Sequence, residues 1–242
     1  LILAVDAGNT RVKWALHDGR AFVRDGRRAS REAADIERDW AALPVPHRVV
    51  IASVAGQGMD STLARAARRW GREPSFVTAA AQQCGVTSCY ADPSQLGPDR
   101  WAALVAARSL ASHAQLVVCA GTAVTIDCLF ADGDFAGGVI VPGFDLMHEV
   151  LAANAARLSA ERGQFRDFPQ QTRDAITSGA IQSICGAIER MGRLMADKAG
   201  AEPAIVATGG AAELIAGHLR WPVQVRDKLI LEGLVRIAGD LR

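Results

Sequence analysis

Apolar residues in this chain fall into short blocks, and one ordering of blocks occurs twice. Leu1-Ile2-Leu3-Ala4-Val5 stops at Asp6-Ala7-Gly8-Asn9-Thr10, an alternating run begins at Arg11-Val12-Lys13, and Asp18-Gly19 ends it. In the middle of the chain, Leu116-Val117-Val118 stops at Cys119-Ala120-Gly121-Thr122. Ala123-Val124-Thr125-Ile126-Asp127 follows, and Asp132-Gly133 closes the copy. Short apolar runs bounded by Gly and Asp predict strands, and Asp-Gly between such runs predicts a hairpin turn. Each copy therefore reads as strand, tight glycine turn, strand, hairpin turn.

The remaining pattern alternates strand and helix. Arg20 to Arg24 predicts a third strand, and Ser30 to Leu43 a helix with Ser30 as its cap. Arg48 to Val54 reads as a buried strand, Met59 to Trp70 as a helix and Pro74 to Thr78 as a short strand. Cys84 to Pro98 is irregular, with turns at Asp92-Pro93 and Gly97-Pro98, and a helix follows from about Asp99 to Ala111. Strands are then predicted near Leu116 to Cys119, Ala123 to Phe130 and Phe135 to Val141, and a helix from about Phe144 to Leu158. A polar loop from Gly163 to Gln171 leads into a long helix from Thr172 to Ala199. Its stripe of Ile181, Ile184, Ile188 and Met191 has the spacing of a core or dimer face. A strand at Ala204 to Ala207 running into Gly209-Gly210, a helix, a strand at Val223 to Val225 and a last helix from Lys228 finish the chain. The repeated order predicts two α/β domains, 1–112 and 113–242, facing each other across a cleft with a Gly-hydroxyl turn from each.

Bulk properties exclude several function classes. Net charge is +1, which gives no electrostatic case for nucleic acid or an anionic membrane. No apolar stretch reaches the ~20 residues that span a bilayer, and the opening run is too short for a leader. The cysteines are Cys84, Cys89, Cys119, Cys128 and Cys185, with no CxxC pair, which predicts free thiols in a reducing cytoplasm. The histidines show no metal-ligand spacing. Lysine occurs only at Lys13, Lys198 and Lys228, so one of three sits in the first glycine phrase.

That phrase suits a phosphate. Glycine lets backbone N–H groups approach an anion, and Thr10 and Thr122 add hydroxyl donors. Asp6, at the end of the first strand, makes sense beside phosphate if Mg²⁺ lies between; otherwise it starts a turn. Arg11 and Lys13 share a strand face, and Lys13 brings a charge to the same place. No GxxxxGK[ST] and no GxGxxG is present, so Walker and dinucleotide folds are disfavoured. In Leu96-Gly97-Pro98-Asp99-Arg100, Asp99 sits at a helix start, as a cap or as the base that phosphoryl transfer to a hydroxyl needs. Arg100 suits a carboxylate or phosphate. Tyr90 is the only tyrosine. Gly137-Gly138, Pro142-Gly143 and Gly209-Gly210 read as turns or as places of close backbone approach.

Taken in order, these motifs resemble the type III pantothenate kinases, or Bvg accessory factor family, within the actin-like ATPase and sugar-kinase superfamily. Asp6-Ala7-Gly8-Asn9-Thr10 with Arg11, Val12 and Lys13 is similar to the family's first phosphate motif, and Gly121 to Asp127 to its second. Tyr90 with Leu96 to Arg100 resembles its pantothenate-binding and catalytic segment. The resemblance implies two ribonuclease-H-like domains with a cleft between them. It implies ATP-dependent phosphorylation of pantothenate, with Asp99 as base and Tyr90, Gly97, Pro98, Asp99, Arg100 and Thr172 at the substrate. ATP would meet residues 6 to 13 and Thr122, with Mg²⁺ held through Asp6. It also implies a homodimer in which Thr172 reaches the partner's pantothenate. Where many members carry a monovalent-cation aspartate, this chain has Cys119. A neutral thiol is a poor ligand for K⁺ or NH₄⁺, so a weak cation dependence is expected. The rival readings are a kinase of another small hydroxylated substrate and a regulatory accessory factor that keeps the fold. A degenerate regulator should have lost a catalytic group, whereas Asp6, Thr10, Lys13, Asp99, Arg100 and Thr122 are all present.

Overall fold

The computed structural model describes residues 1–154 and 161–241. Its chain forms two units: Leu1–Ala111 with Gly133–Phe135 and Lys228–Arg242, and Ser112–Asp132 with Ala136–Asp227.

In the first unit β1 (Ile2–Ala7) pairs antiparallel with β2 (Arg11–His17), and β3 (Phe22–Ala29) lies outside β2. On the other side β4 (Arg48–Ser53) runs parallel to β1 and β5 (Ser75–Phe76) parallel to β4. Alternation sends Leu3, Val5, Ala7, Val12, Trp14 and Leu16 into one core. There they meet Ile36 and Trp40 of α1 (Ile36–Ala41) and Leu63 of α2 (Gln57–Arg68). Ala4, Ala15 and Val50 point the other way and are also fully buried. Both sheet faces are therefore covered, which is why β1 and β4 read as unbroken apolar runs. The second face is covered by α3 (Pro98–Leu110) and α7 (Leu229–Asp240). A short hairpin, β6 (Gln82–Gln83) and β7 (Val86–Ser88), pairs with Asp134 and Phe135.

The position of α7 departs from the expected second domain, 113–242: Lys228–Arg242 belongs to the first unit. Leu229, Leu231, Leu234 and Ile237 are buried within the first unit. A Cβ on Gly233 would overlap the Ala102 backbone, so α7 lies directly on α3. An apolar helical stripe fits any layer that needs covering, and sequence order alone assigned it to the nearer one.

In the second unit β8 (Gln115–Ala120) and β9 (Ala123–Leu129) form the second hairpin. On one side β10 (Asp134–Pro142) adjoins β9; on the other β11 (Ala204–Thr208) and β12 (Val223–Val225) extend the sheet from β8. Leu116, Val118, Ala120, Val124 and Ile126 form one core with Ile181, Ile184, Cys185 and Ile188 of α5 (Thr172–Ala199). The α5 stripe thus includes core positions. Helix α4 (Phe144–Asn154) follows β10, and α6 (Ala212–Ala216) follows β11. Residues 155–158 of the expected helix from Phe144 lie outside the described residues.

Three local expectations change. The third strand covers Phe22–Ala29 rather than Arg20 to Arg24. The helix from Ser30 is a 3₁₀ segment, Ser30–Asp35, before α1. Ser30 does not cap it: Ala29 holds the cap position, and the Ser30 hydroxyl donates to the Gly8 carbonyl at 2.8 Å. A cap hydroxyl would accept from the first N–H groups of the helix, whereas this one lies inside the 3₁₀ segment and is turned to the glycine turn. The polar loop before α5 is pinned to that helix. Gly163 N donates to Thr177 Oγ1 at 3.0 Å, Gln164 N to Asp174 Oδ1 at 2.8 Å and Arg166 N to Ser178 Oγ at 2.9 Å. Among the described residues no helix is long and apolar enough to cross a membrane.

Candidate active site

The first glycine turn is shaped by a few bonds. Gly8 N donates to the Arg11 carbonyl at 3.0 Å, and a Cβ on Gly8 would lie 3.3 Å from that same oxygen. Ser30 fastens the turn from outside, through its hydroxyl to Gly8 and its N–H to the Thr10 carbonyl at 2.9 Å. The β1–β2 register then sets Asp6 opposite Lys13. Directly opposite residues share a face, so the carboxylate and the ammonium stand side by side below the turn.

Asp99 is brought to the same end of β1. Gly97 precedes α3, and a Cβ there would fall 2.6 Å from Asp99 Oδ1 and 3.9 Å from the Val54 side chain. Val54 N in turn donates to the Ala7 carbonyl at 3.0 Å. Pro98 begins α3, where its missing N–H costs nothing and its fixed φ fits the helix. The helix cap is Gly97, and Asp99 Oδ1 accepts only from Arg100 N, at 2.9 Å. The other Asp99 oxygen takes no hydrogen bond from the described residues.

Burial, and after it the negative charge of Asp99, pushes the Asp6 carboxyl up to about 7, while the Lys13 ammonium pulls the other way. Two carboxyl groups thus converge with one ammonium beside them. No cluster of three or more His, Cys, Asp or Glu side chains able to hold a metal occurs among the described residues. This donor set fits a hard dication that brings most of its oxygen ligands with it, as Mg²⁺ does on nucleotide phosphates.

Beside Asp99 lies a wall of three residues. Arg100 is 6% exposed; its guanidinium carbon sits 5.9 Å from the Phe135 ring centroid, and Nη1 donates to Tyr90 Oη at 3.5 Å. Tyr90 rests on Phe135 with ring centroids 5.2 Å apart. An arginine and a phenol held against one ring present a charged fork and a hydroxyl, a combination suited to a carboxylate. Sequence reasoning missed Phe135, which reads only as an apolar strand residue, and missed the link from Ser30, which is non-local.

The second turn is built alike. Gly121 N donates to the Ala123 carbonyl at 3.0 Å. Here glycines replace the serine fastener. Gly143 N donates to the Thr122 carbonyl at 2.8 Å, and a Cβ on Gly143 would overlap the backbone of Gly121 and Thr122. Gly209, at φ +104°, would overlap Ala120 if it carried a Cβ. Ala211 N bonds the Ala120 carbonyl at 3.2 Å. Gly138 leaves room for the Asp127 side chain. The cross-strand pair below this turn is Cys119 with Thr125. Thr172 is exposed at the start of α5 and lines an apolar groove of about 540 Å³ with Pro142, Leu146, Met147, Val150 and Ile176. The structure therefore groups Asp6, Lys13, Tyr90, Asp99 and Arg100 in the first unit and places Thr122 and Thr172 in the second.

Solved structures with this chain path include a Baf family protein from Campylobacter jejuni, 20% identical with a TM-score of 0.63, covering 98% of this chain and 97% of its own. A glucokinase from an Antarctic psychrotroph is 12% identical with a TM-score of 0.52, and the match covers 98% of both chains. The fold is that of the actin-like ATPases and sugar kinases. Residues 2–193 match the family model described as type III pantothenate kinase. A Nitrosospira multiformis protein named type III pantothenate kinase is 48% identical over 240 residues, 99% of this chain and 92% of the relative. The chain belongs to the type III pantothenate kinase family.

Proposed function

We propose that this protein transfers the γ-phosphoryl group of ATP to the primary hydroxyl of pantothenate, the first step towards coenzyme A. The observation that carries the reading is the convergence of Asp6 and Asp99 at the end of β1, beside the Arg100–Tyr90 wall. In this reading Asp99 takes the proton of the attacking hydroxyl, through the oxygen that receives no internal hydrogen bond. Arg100 and Tyr90 grip the substrate, and Gly97 and Pro98 hold Asp99 in place. The turn from Asp6 to Lys13, with Thr10 and Lys13 as donors, binds ATP phosphates, and Thr122 binds ATP from the second turn. Asp6 is the residue that would hold Mg²⁺; when bound, the ion neutralises charge on the transferring phosphates. Burial of the Asp6 carboxylate beside Asp99 is costly and Lys13 offsets it only in part; the raised pKa is that cost in another form.

The apolar groove beside Thr172 supports a homodimer in which Thr172 of one protomer reaches the pantothenate of its partner. The free thiols fit a cytoplasmic protein. Two experiments test these readings. Purified protein with Mg-ATP and pantothenate should form ADP and phosphopantothenate in equal amounts; ADP without phosphopantothenate would refute the substrate. Mixing inactive Asp99→Asn with inactive Thr172→Arg should restore some activity through hybrid dimers carrying one intact site. A chain that sediments as a monomer and still turns over would refute the shared site.

A further inference from the structure

Thr172 opens α5 at the end of the loop 163–171 and is exposed, as are Gln171 before it and Arg173 after it. Asp174, in the same turn, is only 5% exposed. An acid in a first helical turn ordinarily faces the free N–H groups of its own helix. This one turns to the loop instead. Oδ1 accepts from Gln164 N at 2.8 Å, and Oδ2 accepts from Gln171 Nε2 at 2.7 Å. A single carboxylate thus holds both ends of the loop. The Gln171 amide, and after it the Gln164 N–H, keep the carboxyl below its usual range, because both donate to the ionised form.

The loop is also pressed onto that turn. A Cβ on Gly163 would overlap the Arg173 carbonyl and the Asp174 nitrogen, so loop backbone lies directly on helix backbone. Gly163 N and Arg166 N bond the hydroxyls of Thr177 and Ser178. Asp174, Thr177 and Ser178 have the spacing of one helix face, and all three are buried. The two hydroxyls hold only the start of the loop. Of the three, only Asp174 reaches Gln171, whose carbonyl begins the helix by accepting from Ala175 N at 2.9 Å. A buried carboxylate is costly to desolvate, and a neutral side chain could fill the same place. What the charge adds here is a tie on the residue just before Thr172.

We propose that Asp174 is a positioning residue: by clamping the loop 163–171 it sets the backbone from which Thr172 meets the pantothenate of the partner protomer. The inference rests on the shared-site reading above. Asp174 touches no reactant and acts through Thr172. A loop ordered before the substrate arrives leaves less entropy to lose on binding, which lowers the KM for pantothenate.

The test uses steady-state kinetics and mixed dimers. Asp174→Ala should raise the KM for pantothenate roughly tenfold, as for loss of hydrogen bonds to a charged group, with the KM for ATP unchanged. Asp174→Asn keeps an acceptor for Gln164 N and should fall between. Gln171→Leu changes an exposed side chain, removes one donor and should shift the same constant in the same direction, so the idea stays testable if Asp174→Ala folds poorly. Asp174→Ala is then co-expressed with Asp99→Asn under a second tag, and the mixed dimer is purified. Its one site with an intact Asp99 takes Thr172 from the chain with an intact Asp174, so the wild-type KM for pantothenate should return. An unchanged KM for pantothenate in Asp174→Ala and Gln171→Leu would overturn the inference. A rise in both KM values together, or a raised KM that persists in the mixed dimer, would also overturn it and mark Asp174 as structural in its own chain. Thr172→Arg in the same mixed format separates the two readings. Rescue of Thr172→Arg without rescue of Asp174→Ala removes the inference alone, whereas failure of both removes the shared site and the inference with it.

Discussion

Below the glycine turn of β1–β2 stand Asp6 and Lys13; below that of β8–β9 stand Cys119 and Thr125. Both turns close with a glycine N–H bonded to a carbonyl across the hairpin, at 3.0 Å in each case. The scaffolds agree and the charges do not. The first hairpin concentrates ionisable groups, with Asp99 near enough to raise Asp6, and is fastened by the Ser30 hydroxyl. The second is neutral on its rung and is fastened by close backbone approach at Gly143 and Gly209. One backbone device thus carries two different rungs: the side chains below the first turn are ionisable and those below the second are neutral.

The largest effect expected from breaking this asymmetry lies at Asp6. Its folded pKa of about 7 exceeds the unfolded value of 3.8, so the folded chain holds a proton that the unfolded chain releases between those pH values. Unliganded stability should therefore fall as pH rises from about 4 to 7, by at most roughly 4 kcal/mol at 1.36 kcal/mol per pKa unit. Asp6→Asn should abolish that slope in denaturant titrations at several pH values, make the free protein more stable at pH 8, and abolish turnover. A slope unchanged in Asp6→Asn would assign it elsewhere.

Next comes Asp99→Asn. Loss of a general base should lower kcat by about 10²-fold or more while ATP still binds. The same change removes a negative charge from beside Asp6, so the stability slope should shrink as well. Full turnover in a folded Asp99→Asn protein would reduce Asp99 to a helix-start residue.

A smaller effect should come from charging the neutral rung. With Cys119 in place, initial rates should respond weakly to KCl when choline chloride holds ionic strength constant. Cys119→Asp supplies the oxygen donor that a hard cation prefers, and should introduce several-fold activation by K⁺. Steep activation of the wild type by K⁺ would show that another group ligates the cation.

The smallest concerns the fastener. Ser30→Ala removes one hydroxyl bond to Gly8 and leaves the N–H bond to Thr10 in place. A loss of about 1 kcal/mol in stability and a modest rise in the KM for ATP are expected. An unchanged KM for ATP would mean that the turn holds its shape without Ser30.

What the sequence by itself determined was whatever local pattern carries: the two hairpins, α3 starting at the Gly97-Pro98 turn, α5 from Thr172, and the order of motifs that marks the family. Short apolar runs, glycines and helix-start residues act over a few positions, so they can be read in one dimension. Tertiary structure decided the rest, because it depends on residues far apart in the chain. It sent α7 back to the first unit, where Gly233 lies on Ala102. It turned Ser30 from a cap into a tie on Gly8, twenty-two residues away. It set Phe135 under Tyr90 and Arg100, and brought Asp99 close enough to Asp6 to raise its pKa. It also aligned Thr208, Cys119 and Thr125 on one rung, since strand register is fixed by pairing and burial rather than by any one strand's own residues.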